Sequence, residues 1–183
     1  LNPASPLENI LNDIPRAIAA RLYYPALAVA LTVPEICMGL TLDKSVRVKG
    51  HHYAAFVDKY AEPVGLGLNG EICYQLRCGV LHRGDASAHS ELPLTDLIFS
   101  IPGPQGRTHA KDLNIGRFTA GMLDLETFCH AMCTAACGWW ADHHSNSKVL
   151  ENIPSLLSPR DGLGLFVYGP IIGCGKEFDW EDA

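Results

Sequence analysis

Positive charge is scarce in this sequence: 14 Lys and Arg stand against 20 Asp and Glu among 183 residues, a formal net charge of −6. That balance does not suit a general polyanion binder, so no broad DNA-binding surface is expected, and any RNA or nucleotide contact would be confined to a local cleft. Long apolar runs are also lacking. The longest, Tyr23 to Val33, contains Pro25 and is followed by Pro34 and Glu35, well short of the ~20 residues that cross a bilayer. No secretory leader is legible. These absences predict no membrane association and a cytoplasmic location. Internal repeats and low-complexity stretches are missing too. The seven cysteines (Cys37, Cys73, Cys78, Cys129, Cys133, Cys137 and Cys174) lack the compact paired spacing of disulfide-built domains. Cys129, Cys133 and Cys137 recur every fourth residue, on one helix face. They read as reduced, small apolar packing residues.

What is present is ordinary globular material: 48% hydrophobic and 19% charged residues. The length suits one domain, large enough to bury roughly 70% of its unfolded surface without a disulfide or structural metal. A first helix is expected to start with Ser5 as N-cap, Pro6 in the first turn and Glu8 closing a capping box. Leu7, Ile10, Leu11, Ile14, Ile18 and Leu22 continue at helical spacing, and Pro15 is expected to kink or split the helix. A second apolar helix is expected over Ala26 to Leu40, kinked at Pro34. His51 to Ala61 reads as a third, with Tyr53, Phe56, Val57 and Tyr60 on one side. Asn69 can cap a fourth, from about Gly70 to His82, with Ile72, Leu76 and Val80 as its buried stripe and Gly84 as its stop.

Beyond Gly84 the period changes. Leu97 to Ile101 alternates like a strand and Leu113 to Ile115 reads as its return, a small β-hairpin at about 95–118. Asp124 can cap a last long helix from Leu125 to about His143. Leu125, Phe128, Met132, Ala135 and Trp139 form its buried face. A short helix over 149–157, a short strand over 165–168 and an acidic, frayed tail from 176 complete the expectation. The predicted architecture is mainly α: one domain over 1–183, a bundle of four to five helices with a hairpin inserted after the fourth.

Chemistry concentrates in Cys73-Tyr74-Gln75-Leu76-Arg77-Cys78-Gly79-Val80-Leu81-His82-Arg83-Gly84. Positions 77 and 82 lie roughly 140° apart around a regular helix. On that ground Arg77 and His82 should not share a face. They could converge if the helix ends or loosens near Gly84, or if a second subunit brings its copy close.

Leu76 to His82, an arginine followed by four residues and a histidine on a helix, resembles the signature of the HEPN superfamily (higher-eukaryote and prokaryote nucleotide-binding domains). The preceding Tyr53 to Tyr60 helix and the long apolar helices suit such a bundle. The resemblance implies a homodimer whose arginines and histidines share one cleft that cuts RNA without metal or other cofactor. His82 would be the general base or acid, and an imidazole can exchange protons near neutral pH. Arg77 would hold the scissile phosphate through parallel hydrogen bonds. Arg83 would add a phosphate contact, with Glu71, Tyr74 and Asp85 as supporting partners. Cys78 departs from the polar residue that many active members carry after the arginine. Some members bind nucleotide, RNA or protein without cleaving, so a non-catalytic HEPN-like module is the alternative, and a structural oligomerisation domain is a third reading.

Plainer roles stand beside these. Cations in the last turn of a helix are stabilised by its dipole, which alone can explain His82 and Arg83. Arg77 could tie helices together through Asp58 or Glu71. The pairs His51-His52 and His143-His144 predict no metal site, because adjacent helical residues diverge and a zinc ion needs three or four convergent ligands. Of Trp139 and Trp140, one should be core and the other cover a helix junction. Gly65 to Gly70 lacks the Lys-Ser/Thr ending of a phosphate loop.

Overall fold

A computed structural model describes residues 6–86, 96–101, 108–115, 118–160 and 171–173. In chain order these form α1 (Pro6–Ala19), α2 (Tyr23–Leu40), α3 (Gly50–Phe56), α4 (Gly70–Arg83), β1 (Asp96–Ser100), β2 (Lys111–Ile115), β3 (Phe118–Asp124), α5 (Leu125–His143), α6 (Ser147–Asn152), β4 (Ser158–Arg160) and β5 (Ile171–Gly173). The protein is mainly helical with a small three-stranded sheet.

Helix α2 is the hub, because α1, α3, α4 and α5 all pack on it. By length and composition it is the one described helix that could cross a membrane. Here Ala26, Leu27, Ala30, Leu31, Val33, Pro34, Cys37 and Leu40 are buried against its neighbours. Pro34 lies inside this helix, and the chain stays helical past Glu35 to Leu40. Helix α1 likewise runs unbroken through Pro15, so Pro15 does not split it. The expected Ser5 cap lies outside the described residues.

Helix α1 also ends sooner than its apolar spacing suggests. The Arg21 N–H donates to Ile18 O at 2.9 Å and the Leu22 N–H to Ala17 O at 2.8 Å, with Arg21 at φ 59°. This paired closure requires a left-handed residue and normally recruits glycine. Leu22, expected on the buried stripe, is 53% exposed because the helix has already stopped. A side chain in this conformation costs about 1 kcal/mol. Arg21→Gly is therefore expected to raise stability by ~1 kcal/mol and Tm by about 2–4 °C in thermal unfolding.

The third helix is composite. After α3 the chain makes a π-helical turn over Val57–Ala61 and a 3-10 turn over Glu62–Val64. The wider turn keeps Phe56, Val57 and Ala61 all buried. Tyr60 packs on Phe56 at 5.3 Å between ring centres and its hydroxyl donates to Asp142 Oδ2 at 2.9 Å. At the start of α3 the Lys49 N–H donates to His52 Nδ1 at 3.1 Å. Partial desolvation, then the charges of His51 and Lys49, lower the pKa of His52. A lowered folded-state pKa means the contribution is complete above the ordinary histidine value and disappears as pH falls through the lowered one. Acidification through that range is expected to lower the protection factor of the Lys49 amide and fray α3, while His52→Ala shows low protection at every pH.

The expected hairpin is corrected. β1 and β2 do not pair; both flank β3, β1 parallel and β2 antiparallel, in the order β1-β3-β2. The return of the hairpin is therefore β3, which runs directly into α5. Asp124 ends the strand and caps the helix, its Oδ1 accepting from Thr127 N–H at 2.9 Å. His109 fastens the sheet to the glycine loop: Nδ1 accepts the Asp124 N–H at 3.1 Å, so Nε2 carries the proton and donates to Gly65 O at 2.9 Å. Trp139 is wholly buried, as expected of one of the pair, and Trp140 is half-buried. The short helix expected over 149–157 is α6 plus a 3-10 turn over Ile153–Ser155. β4 pairs antiparallel with β5, a pairing absent from the expected architecture. The strand expected over 165–168 and the tail from 176 lie outside the described residues.

Candidate active site at the end of α4

The end of α4 is built from its own sequence. Asn69 accepts the Ile72 N–H at 3.0 Å and starts the helix. Gly84, at φ 73°, stops it, with its N–H on Val80 O at 3.2 Å. Between these caps Cys73, Leu76 and Val80 face the core. Arg77 and His82 fall outside that stripe.

Their side chains meet. Arg77 Nη1 lies 3.0 Å from His82 Nε2, although α4 is regular through Arg83. The angular separation is bridged by the long arginine stem, so neither a loosened helix nor a second subunit is needed. A guanidinium can only donate, so His82 Nε2 is the acceptor and the ring proton sits on Nδ1. Arg77 Nη2 donates to Glu35 Oε2 of α2. Arg77 thus pairs with neither Asp58 nor Glu71. Asp58 accepts the Gly70 N–H at 2.6 Å, and Glu71 accepts from Gln75 at 3.2 Å.

The arginine side chain is only 16% exposed, against 39% for Glu35, while His82 is exposed. Burial alone would lower the pKa of Arg77; the Glu35 carboxylate, with Cys78 beside it, more than offsets this and holds it above the ordinary arginine value. Arg77 Nε is buried without a hydrogen-bond partner. The buried Tyr53 hydroxyl donates to Leu31 O at 3.0 Å, and burial first, then the neighbouring Cys73, raises its pKa. Burial pushes the Cys73 thiol up to about 12. The guanidinium is within electrostatic range of Tyr53 and Tyr74 and has Glu35 as its counter-charge.

The other expected site residues divide. Tyr74 stays close: it covers Gly50, packs on Tyr53 at 5.5 Å, and the neighbouring Cys78 and then burial raise its pKa. Arg83 is committed to Asp85 through Nε at 2.9 Å and Nη2 at 3.0 Å, so these two form their own fork beside His82. Glu71 is not brought in. It lies eleven residues before His82 at the other end of the helix, about 16 Å along the axis. Glu35 was missed. The signal was a lone carboxylate inside an otherwise apolar helix, which needs a cation when it is drawn toward a core.

Glu35→Ala is expected to destabilise the protein by ~1–2 kcal/mol in urea unfolding. It leaves a largely buried guanidinium without its carboxylate, a cost moderated because Glu35 remains partly solvated.

Among the described residues no group of three or more His, Cys, Asp and Glu could hold a metal ion. The cysteine row on α5 grades from core to surface: Cys129 is buried, Cys133 half-buried and Cys137 exposed. Burial raises the thiols of Cys129 and Cys133 to about 12 and about 11, which disfavours the nucleophilic thiolate. A groove of about 300 Å³ between α1 and α5 is lined by Ile14, Ile18, Cys129, His130 and neighbours, and shares no residue with the α4 pair.

No family model, curated protein or solved structure matches this chain.

Proposed function

We propose that this chain is a HEPN-like domain that takes an RNA phosphate at the end of α4 and, as a cytoplasmic homodimer, cleaves the RNA without metal. The supporting observation is the 3.0 Å contact between Arg77 Nη1 and His82 Nε2 at an exposed helix end. Glu35 fixes one edge of the guanidinium and leaves Nη1 with a partner that a phosphate can replace. A phosphate oxygen bonding Nη1 displaces His82 Nε2, whose lone pair is then free to take the proton of a ribose 2′-hydroxyl. The 2′-oxygen attacks phosphorus and the 5′-oxygen leaves. The second copy's imidazole, if protonated, supplies the proton that the leaving oxygen needs. Arg77 offsets the charge that accumulates on the phosphoryl oxygens.

The test uses the purified chain, a labelled single-stranded RNA and excess EDTA. Cleavage leaving a 2′,3′-cyclic phosphate and a 5′-hydroxyl is expected, with a DNA of the same sequence left intact. Cleavage that requires a divalent metal would overturn the mechanism. RNA binding without cleavage would reduce it to the non-catalytic module.

A structural reading has its own observation. The Arg77–Glu35 ion pair joins α4 to α2 and leaves little of the arginine exposed. On that reading Glu35→Ala and Arg77→Ala lose stability alike, and the protein neither binds nor cleaves RNA.

A further inference from the structure

Tyr24, at the start of α2, is among the large side chains most open to solvent. It is 56% exposed, beside Leu22 at 53%. An exposed tyrosine normally moves freely. This one is pinned, because its hydroxyl donates to Val80 O at 2.9 Å. Val80 belongs to the last turn of α4, between Arg77 and His82 in sequence, and positions 77 and 80 are about 60° apart round the helix. The ring is therefore a fixed plate, anchored by its polar end on the Arg77 flank of the catalytic turn, with more than half of its surface unpaired. Arg21, also exposed, precedes it in sequence.

We infer that Tyr24 is the base-stacking platform of the site: it receives the nucleobase next to the phosphate that Arg77 holds. The inference rests on the proposed function and deepens it. A duplex keeps its bases stacked and cannot offer one to an external ring, whereas a single strand can splay a base onto an aromatic side chain. Stacking is tolerant of base identity, because every base has a π-face. Tyr24 is a positioning residue that acts on affinity rather than on the proton transfers.

The test is a binding cycle with an uncleavable 2′-O-methyl RNA pentamer and the same pentamer carrying an abasic site at each position in turn. Wild-type protein is expected to lose about tenfold in affinity at one abasic position, within the range of a single stacked base. Tyr24→Ala is expected to bind the intact and that abasic pentamer equally, and Tyr24→Trp to restore the difference. Equal sensitivity of wild type and Tyr24→Ala to every abasic site overturns the inference. So does a Tyr24→Ala variant that becomes monomeric and loses binding to all pentamers alike, which would make the ring a protein interface. If wild type cleaves unmodified RNA in EDTA yet shows no coupling, the stacking inference fails alone; if it neither binds nor cleaves, both fail.

Discussion

Gly70→Ala is expected to cost about 3 kcal/mol, the upper part of the usual range for overpacking. At this chain length that lowers Tm by ~6–12 °C. A Cβ at position 70 would lie 2.3 Å from Ala54 O and 2.5 Å from Ala54 Cα. The obstruction is backbone, so no side chain can swing aside, and α3 and α4 would have to separate. The same glycine gives its N–H to Asp58 Oδ1 at 2.6 Å, a bond that separation also weakens. The contact locates α4, which carries Arg77 and His82, against α3, so activity should fall with stability. Urea unfolding of wild type and Gly70→Ala measures the effect; a change below 1 kcal/mol would mean that the helices have room to relax.

His82→Ala is expected to do the opposite: little to the fold and much to the chemistry. The imidazole is exposed, and its one described hydrogen bond is to Arg77. Its removal leaves the Arg77–Glu35 pair intact, so unfolding should shift by no more than about 0.5 kcal/mol. Loss of a general acid or base lowers the cleavage rate by ~10²–10⁴-fold. Arg77→Lys is the informative companion. It retains the charge facing Glu35, yet a single ammonium cannot hold Glu35 and a phosphate through separate nitrogens of one rigid fork. Its expected signature is a large loss of rate with a small loss of stability. A preparation in which His82→Ala cleaves as fast as wild type would assign the activity to a contaminant or another site.

Local chemistry made the helices legible, and it made the sheet legible only in part. Asn69, Asp124 and Gly84 announced the ends of α4 and α5 because each cap acts within three or four residues of itself. The strand β3 went unread. Its sequence, Phe-Thr-Ala-Gly-Met-Leu-Asp, has no clean alternation, so its local antiparallel pairing with β2 was not announced, and its parallel pairing with β1 leaves no short-range mark. The candidate site was half legible. Arg77 and His82 were legible by type and spacing, but helical angle alone separates them, and it is the long arginine stem that bridges that angle. Glu35 was invisible for a different reason. The sequence separates it from Arg77 by 42 residues, and only packing of α2 on α4 joins the two.

The account depends on an RNA phosphate entering between Arg77 and His82. The most direct measurement is the ¹⁵N spectrum of the His82 imidazole before and after addition of the uncleavable RNA. Free protein should show the tautomer protonated on Nδ1, and saturating RNA should move the Nε2 resonance as the Arg77 bond is exchanged for the phosphate. The response should be lost in Arg77→Lys. A His82 ring that keeps the same nitrogen shifts at saturating RNA would contradict the account and leave the Arg77–Glu35–His82 cluster a strut between two helices.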